Sequence, residues 1–182
     1  KQVEKIKTKI RSYRAQLAAE KKRYGAVRDS EGKRYEIAFL YMKTGYFKGA
    51  LRYFRWFEEE FPQDIGDPLF LFIWALTLYE NNKKEEAKTK AYKMAFSNTY
   101  LPELLKGNQV ENIDKEERIG FETLEVAKEI QDDCQKYMTE GFYNWLKKFV
   151  NSREFRKNMK NFINLGKKLK DENDPKKRRE LL

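Results

Sequence analysis

Histidine is absent from this 182-residue chain, and cysteine occurs only once. Without histidine, the chain has neither the most frequent general base and metal ligand nor any Ser-His or Cys-His nucleophile. The single cysteine, Cys134, permits no internal disulfide and cannot build a thiolate zinc site alone. These absences exclude histidine-dependent catalysis and cysteine-ligated zinc from these residues.

Proline and glycine are also scarce, with four and nine residues. An all-β protein with frequent tight turns uses more of both, so the composition favours helices. No apolar run approaches the roughly 20 residues that cross a bilayer, and the charged beginning lacks the apolar stretch of a signal peptide. We therefore predict no membrane span and a cytoplasmic location, where a lone reduced thiol is ordinary.

Charged residues, in contrast, make up 37% of the chain and give a net charge of +10. Their distribution is uneven: residues 1–34 carry +8, residues 35–113 carry −1, residues 114–150 carry −3 and residues 151–182 carry +6. The two ends are therefore basic and the middle is neutral to acidic. Basic ends of this kind can attract nucleic acid or an anionic surface.

The first 27 residues predict an amphipathic helix. Apolar residues recur there at spacings of three and four, which places them on one helix face: Val3, Ile6, Ile10, Tyr13 and Leu17. This stripe lasts about two and a half heptads, which is short for a coiled coil. We therefore favour packing of this helix onto the residues that follow.

Four further helices are predicted at residues 33–42, 46–60, 68–79 and 84–96, with breaks at Gly45 and Asn82. Ala50 and Ala87 follow these breaks and lie 37 residues apart, a period typical of stacked helical pairs. Farther on, Asp114 to Glu117 predicts a helix start, because acids favour the amino end of a helix. Apolar periodicity predicts more helices up to residue 170.

The two pairs resemble the tetratricopeptide repeat (TPR). The first unit matches its pattern at Arg34, Ile37, Ala38, Tyr41, Gly45, Ala50, Phe54 and Pro62. The second unit matches at Leu71, Trp74, Ala75, Leu78, Asn82, Ala87, Ala91 and Met94, with Pro102 three residues late. Arg34 stands in the usual tryptophan slot, and Ala91 stands where an aromatic residue is usual. The resemblance implies an all-α fold, a short right-handed helical-repeat (TPR-like α-α superhelix) with additional N- and C-terminal helices.

This interpretation divides the chain into four segments. Residues 1–30 form a basic amphipathic N-terminal helix, and residues 31–107 form two TPR-like helical pairs. Residues 108–170 form a divergent helical extension that caps the stack. Residues 171–182 form a basic and flexible tail, because they carry almost no apolar content.

The resemblance also implies a function, since proteins of this family bind partner proteins in a concave groove lined by the first helix of each pair. The positions that correspond to the groove are Tyr35, Phe39, Met42, Lys43, Phe72, Leu76 and Tyr79. They are mostly apolar or aromatic, unlike the Lys, Asn and Arg that clamp a terminal carboxylate. The chain is thus predicted to be a non-catalytic adaptor or scaffold. Its ligand is a hydrophobic helix or strand of another protein, unless its own N-terminal helix fills the groove.

A second hypothesis assigns nucleic-acid or anionic-surface binding to the basic ends. The C-terminal cluster Lys176, Lys177, Arg178 and Arg179 also resembles a minimal nuclear-import signal. The aromatic residues, however, occur at core spacing and not among the basic ones. An enzyme whose catalytic part lies outside these residues is a third reading.

Catalytic and cofactor sites find little support in the sequence. Cys134 lies on an apolar helix stripe, so we predict a buried thiol that serves packing. Adjacent acids such as Glu58, Glu59 and Glu60 point to different faces of a helix. No glycine-rich phosphate loop is present. We predict no enzymatic activity, no metal and no cofactor, and the oligomeric state stays open.

Overall fold

The protein is built from helices. The computed structural model describes residues 1–117 and 120–181, and no strand occurs within them. The helices are α1 (Gln2–Tyr24), α2 (Lys33–Thr44), α3 (Phe47–Glu60), α4 (Pro68–Glu80), α5 (Lys84–Ser97), α6 (Leu101–Leu105), a 3-10 turn (Gly120–Glu122), α7 (Leu124–Tyr137), α8 (Glu140–Val150), α9 (Arg153–Asp171) and α10 (Pro175–Leu181). The predicted all-α class is confirmed. None of the helices in the described ranges is long and apolar enough to cross a membrane.

Two helical hairpins follow each other in the middle of the chain. α2 and α3 are joined through Gly45, and α4 and α5 through Asn82; both residues adopt left-handed backbone angles, with φ of 63° and 59°. The Gly45 N–H donates to the Met42 carbonyl at 3.1 Å, and the Asn82 N–H donates to the Tyr79 carbonyl at 2.9 Å. The same turn therefore recurs after 37 residues, as the sequence predicts. Membership of the tetratricopeptide family and the right-handed superhelix stay predictions.

Small residues allow the paired helices to approach closely, and aromatic rings fill the space between pairs. Ala38, Ala50, Ala75 and Ala87 are all buried. The ring of Phe54 on α3 stacks on Trp74 of α4, with centroids 4.8 Å apart and planes at 16°. Small side chains within the pairs and large rings between them thus fill the interior together.

Arg34, the residue in the usual tryptophan slot, fills that slot with a guanidinium group. The group lies 4.5 Å from the ring centroid of Tyr35 and 4.9 Å from that of Phe61. It also pairs with the carboxylates of Asp29 and Asp64, at 3.1 and 3.0 Å. Planar stacking and fixed donors make arginine a workable substitute for an aromatic residue here.

α1 packs along α2, as the sequence predicts. Ile10 and Leu17 are the buried residues of its apolar face. At its carboxyl end the Glu20 carboxylate accepts the N–H groups of Arg28 and Asp29, at 3.1 and 2.9 Å. These bonds fold the connecting segment back onto α1. The Asp29 carboxylate in turn accepts the N–H groups of Lys33 and Arg34 at the start of α2, at 2.8 and 2.9 Å.

The carboxyl half of the chain folds back onto the two hairpins. The buried Asn98 donates to the carbonyls of Phe121 and Thr123, at 2.7 and 2.8 Å, and so ties the end of α5 to the start of α7. α7 and α8 pack against α4, and α9 packs against α5. One continuous hydrophobic cluster extends from Ile10 on α1 to Met159 on α9.

The predicted helix start at Asp114 to Glu117 is wrong, because residues 111–117 are not helical. Lys115 is buried, with its ammonium group 3.8 Å from the Glu122 carboxylate, and the Glu116 N–H donates to the Gly166 carbonyl of α9 at 3.0 Å. These long-range contacts hold the segment along α9. α7 begins only at Leu124, after a cap by the Thr123 hydroxyl.

Within the predicted basic tail, residues 175–181 form helix α10, and the flexibility of the tail stays a prediction. Arg178 holds this helix in place: its guanidinium donates to the carbonyls of Leu169 and Glu172 and pairs with the Glu116 carboxylate at 2.5 Å. Two carbonyls at the carboxyl end of α9 are thereby satisfied. Lys176, Lys177 and Arg179 are exposed.

Candidate protein-binding site

The second half of the predicted groove is covered by the protein itself. Phe72 and Leu76 are fully buried, and Tyr79 is partly buried. The Phe72 ring meets Phe142 of α8 edge-on at 5.5 Å, and Tyr79 contacts Phe142 and Trp145 at 5.5 and 5.4 Å. Phe72 and Leu76 are therefore closed to a partner, and the prediction that they contact one is wrong. Tyr79 keeps part of its surface exposed, so its contact with a partner stays a prediction. Helix periodicity placed the three residues on one face of α4, and α8 packs on that face.

The first half of the predicted groove is mostly internal as well. Tyr35 packs edge-on against Phe70 at 5.1 Å, and its hydroxyl donates to the Asp64 carboxylate at 2.5 Å. Met42 is buried, so it is not available to a partner either. Phe39 is half-buried and Lys43 is exposed. Because Tyr35 and Met42 bind α2 to its neighbours, the predicted set does not form an open surface.

An open groove lies elsewhere, between α6, residues 110–113 and α9, and we call it the α9 groove. It has a volume of about 400 Å³. Its apolar lining consists of Pro102, Val110, Ile113, Val150, Phe155, Met159 and Ile163. The remaining lining residues are Thr99, Glu103, Arg156, Lys160, Asn164 and Lys167. Concave sites with an apolar floor and a few polar groups are typical of binding sites.

Hydrogen bonds fix both walls of the α9 groove. On one wall, the Tyr100 hydroxyl accepts the Ile113 N–H at 3.1 Å and donates to the Asn112 side chain at 3.0 Å. On the other wall, Ser152 caps α9 by accepting the Phe155 N–H at 3.2 Å. The walls are thus held by groups outside the groove floor, so the floor is preformed.

The rim of the α9 groove is positively charged. Arg156, Lys160 and Lys167 are exposed along α9, and no carboxylate among residues 1–117 and 120–181 pairs with them. The one acidic lining residue, Glu103, is neutralised by Lys106 at 2.9 Å. Three positively charged side chains therefore border an apolar floor, and no carboxylate of the described residues pairs with them.

One buried polar atom at the groove wall lacks a partner. The Thr99 hydroxyl oxygen is buried and makes no hydrogen bond within the described ranges. A buried hydroxyl without a partner costs about 1–3 kcal/mol.

Other titratable groups in the structure serve packing and pairing. Burial raises the pKa of the Cys134 thiol well above its ordinary value, so the predicted buried thiol is confirmed and is poorly reactive.

Burial lowers the pKa of Lys90, whose ammonium lies 3.2 Å from the Trp74 ring centroid and 3.1 Å from the Glu58 carboxylate. Glu60 pairs with Lys21. The parts of the chain that are described hold no cluster of three metal-ligating side chains.

The sequence carried a partial signal for the α9 groove. Met159 and Ile163 lie four residues apart on α9, and Arg156, Lys160 and Lys167 follow at spacings of four and seven. This pattern places a basic stripe beside an apolar stripe on one helix. The opposite wall comes from residues 99–113, and nothing in local periodicity shows that it faces α9.

Comparison with protein-family models, with curated proteins and with solved structures found no match to this chain. The assignment of a function therefore depends on the geometry of the α9 groove and on the resemblance of the sequence pattern.

Proposed function

We propose that this protein is a non-catalytic interaction module that binds another protein through the α9 groove. The observation that carries the proposal is the partly exposed Ile163 on an apolar floor, bordered by Arg156, Lys160 and Lys167, which pair with no carboxylate of the described residues. The sequence resemblance to tetratricopeptide repeats supports the proposal, since that family binds proteins. The proposed site, however, differs from the groove that the family pattern implies.

The occupant that fits this site is an acidic amphipathic segment of another protein. The apolar side chains of the bound segment cover the groove floor. Removing this apolar area from water contributes about 25 cal/mol per Å² to the free energy of binding. Its Asp and Glu residues meet Arg156, Lys160 and Lys167, and this complementarity steers association and fixes orientation. An amphipathic segment in an apolar groove is a recurrent mode of peptide recognition.

As in the sequence interpretation, we propose that the module acts as an adaptor in the cytoplasm. The buried thiol of Cys134 is compatible with a reducing compartment. The two hairpins then serve as the rigid support for α9, whose position depends on contacts with α5.

The proposal is tested by selecting ligands from a displayed library of random peptides on the intact protein. We expect the enriched peptides to share apolar residues at helical or alternating spacing with flanking Asp and Glu. Hydrogen exchange of the complex is expected to show protection in residues 99–113 and 153–167. Enrichment of basic peptides, or protection confined to other segments, contradicts the proposal.

A further inference from the structure

A second groove, separate from the proposed protein-binding site, lies between α1 and α3, and we call it the α1–α3 groove. It has a volume of about 540 Å³. Its lining consists of Arg14, Leu17, Ala18, Lys21, Lys22, Val27, Trp56 and Glu60. Basic side chains from one helix thus stand beside an aromatic ring from another.

The α1 side of this groove is positively charged. Residues 1–24 contain nine basic and two acidic residues. Glu60 is the acidic residue of the lining, and Lys21 pairs with it. Arg14 and Lys22 are exposed and take part in no ion pair within the described ranges. They lie eight positions apart, about 12 Å along the helix axis, so two phosphates of one strand can be contacted together.

The α3 side supplies a rigid aromatic surface. Trp56 is half-buried, and Tyr53 lies against it with centroids 5.4 Å apart and planes at 33°. Phe61 contacts it edge-on, with centroids 5.8 Å apart. These neighbours hold the indole in place while part of it lines the groove. The sequence separates Trp56 from the basic residues of α1 by more than 30 positions, and the fold brings them together.

We propose that the α1–α3 groove binds single-stranded nucleic acid. Arg14 and Lys22 contact phosphates, and an unpaired base stacks on Trp56. Basic grooves with aromatic platforms are the usual means of holding single strands, because every base has a flat face that stacks with little regard to sequence. A duplex keeps its bases paired, so it offers phosphates to this groove but no base for Trp56.

The test uses fluorescence anisotropy with a labelled oligothymidylate of about 20 nucleotides and the full chain. In the groove variant, Arg14→Gln with Lys22→Gln, we expect affinity to fall about tenfold at low salt. We also expect the slope of log affinity against log salt to fall by about 1.4, since each single-strand phosphate contact contributes about 0.7.

The matched control is Lys5→Gln with Arg23→Gln, which removes the same charge from the same helix outside the groove. We expect this control to change affinity by less than about twofold. Tryptophan fluorescence is expected to be quenched by the oligonucleotide in the wild type and not in Trp56→Phe. Quenching that persists in Trp56→Phe overturns the assigned role of Trp56.

Three results overturn the proposal. These are no binding at about 50 mM salt, equal losses in the groove and control variants, and a duplex of equal length that binds as tightly as the single strand. The α9 groove shares no residue with the α1–α3 groove, so failure of this proposal leaves the proposed protein-binding function untouched.

Discussion

Phe72 on α4 packs edge-on against Phe142 on α8, with ring centroids 5.5 Å apart and ring planes at 81°. Both side chains are fully buried. Tyr79 and Trp145 each contact the same Phe142 ring. Through Phe142, helix α8 therefore covers part of the first helix of the second hairpin.

Phe142→Ala is expected to lower the free energy of unfolding by about 3–5 kcal/mol, because it removes a buried ring and leaves a cavity. Equilibrium urea unfolding followed by circular dichroism measures the change. Asn144→Ala, an exposed change on the same helix, is expected to stay within about 0.5 kcal/mol of the wild type. Similar values for both variants contradict the packing of α8 on α4.

Arg178→Ala is expected to loosen α10 and the carboxyl end of α9, since Arg178 satisfies two carbonyls there and pairs with Glu116. Loss of these charged hydrogen bonds costs about 1–3 kcal/mol locally. Hydrogen exchange is expected to accelerate in residues 168–181 of Arg178→Ala. Arg179→Ala, which alters an exposed neighbour, is expected to leave exchange unchanged; acceleration in both variants refutes the specific role of Arg178.

Tyr53 makes stability depend on pH in the alkaline range. Burial raises the pKa of its phenol far above the ordinary value of about 10, and its hydroxyl donates to the Arg34 carbonyl. Above about pH 10 the unfolded chain loses this proton while the folded chain keeps it, so stability falls as the pH rises.

In Tyr53→Phe, the free energy of unfolding is expected to fall less steeply with rising pH than in the wild type. The difference is about 1.4 kcal/mol per pH unit, the value for one proton. Urea unfolding at pH values between about 10 and 12 measures the slope. Identical slopes in Tyr53→Phe and the wild type contradict the burial of the phenol.

The positions of most helices could be predicted from the sequence, because the information is local. Gly45 and Asn82 both adopt the left-handed conformation that ends a helix, and residues with little steric or hydrogen-bonding penalty for that conformation are recognisable in a sequence. Asp67 and Pro68, a cap and a first-turn proline, likewise indicate the start of α4.

The exposed surface could not be predicted in the same way. Phe72 and Leu76 do share a face of α4, but which face stays open depends on where residues 124–150 fold. The contacts of Arg178 gave no local signal either, because its partner Glu116 lies 62 positions away. Contacts between segments far apart in the sequence therefore determine that the predicted groove is covered and that the α9 groove is open.

Lys160→Glu is expected to weaken binding of a peptide selected on the wild-type protein by about tenfold, because one attractive contact becomes repulsive. The loss is expected to shrink at high salt, where exposed charges are screened. Lys157→Glu changes the same charge on α9 outside the groove and is expected to alter affinity by less than about twofold. Equal losses in the two variants point to diffuse attraction and away from the α9 groove.

In the proposed function, the apolar floor of the α9 groove binds a protein segment. Its most direct test is the dissociation constant of a selected acidic amphipathic peptide for Ile163→Asp, measured beside Ile65→Asp. Ile65 is 67% exposed and lies in the loop before α4, so it receives the same chemical change outside the groove. With both variants shown to be folded by circular dichroism, we expect affinity to fall at least about tenfold in Ile163→Asp and less than about twofold in Ile65→Asp. Unchanged affinity in Ile163→Asp contradicts it.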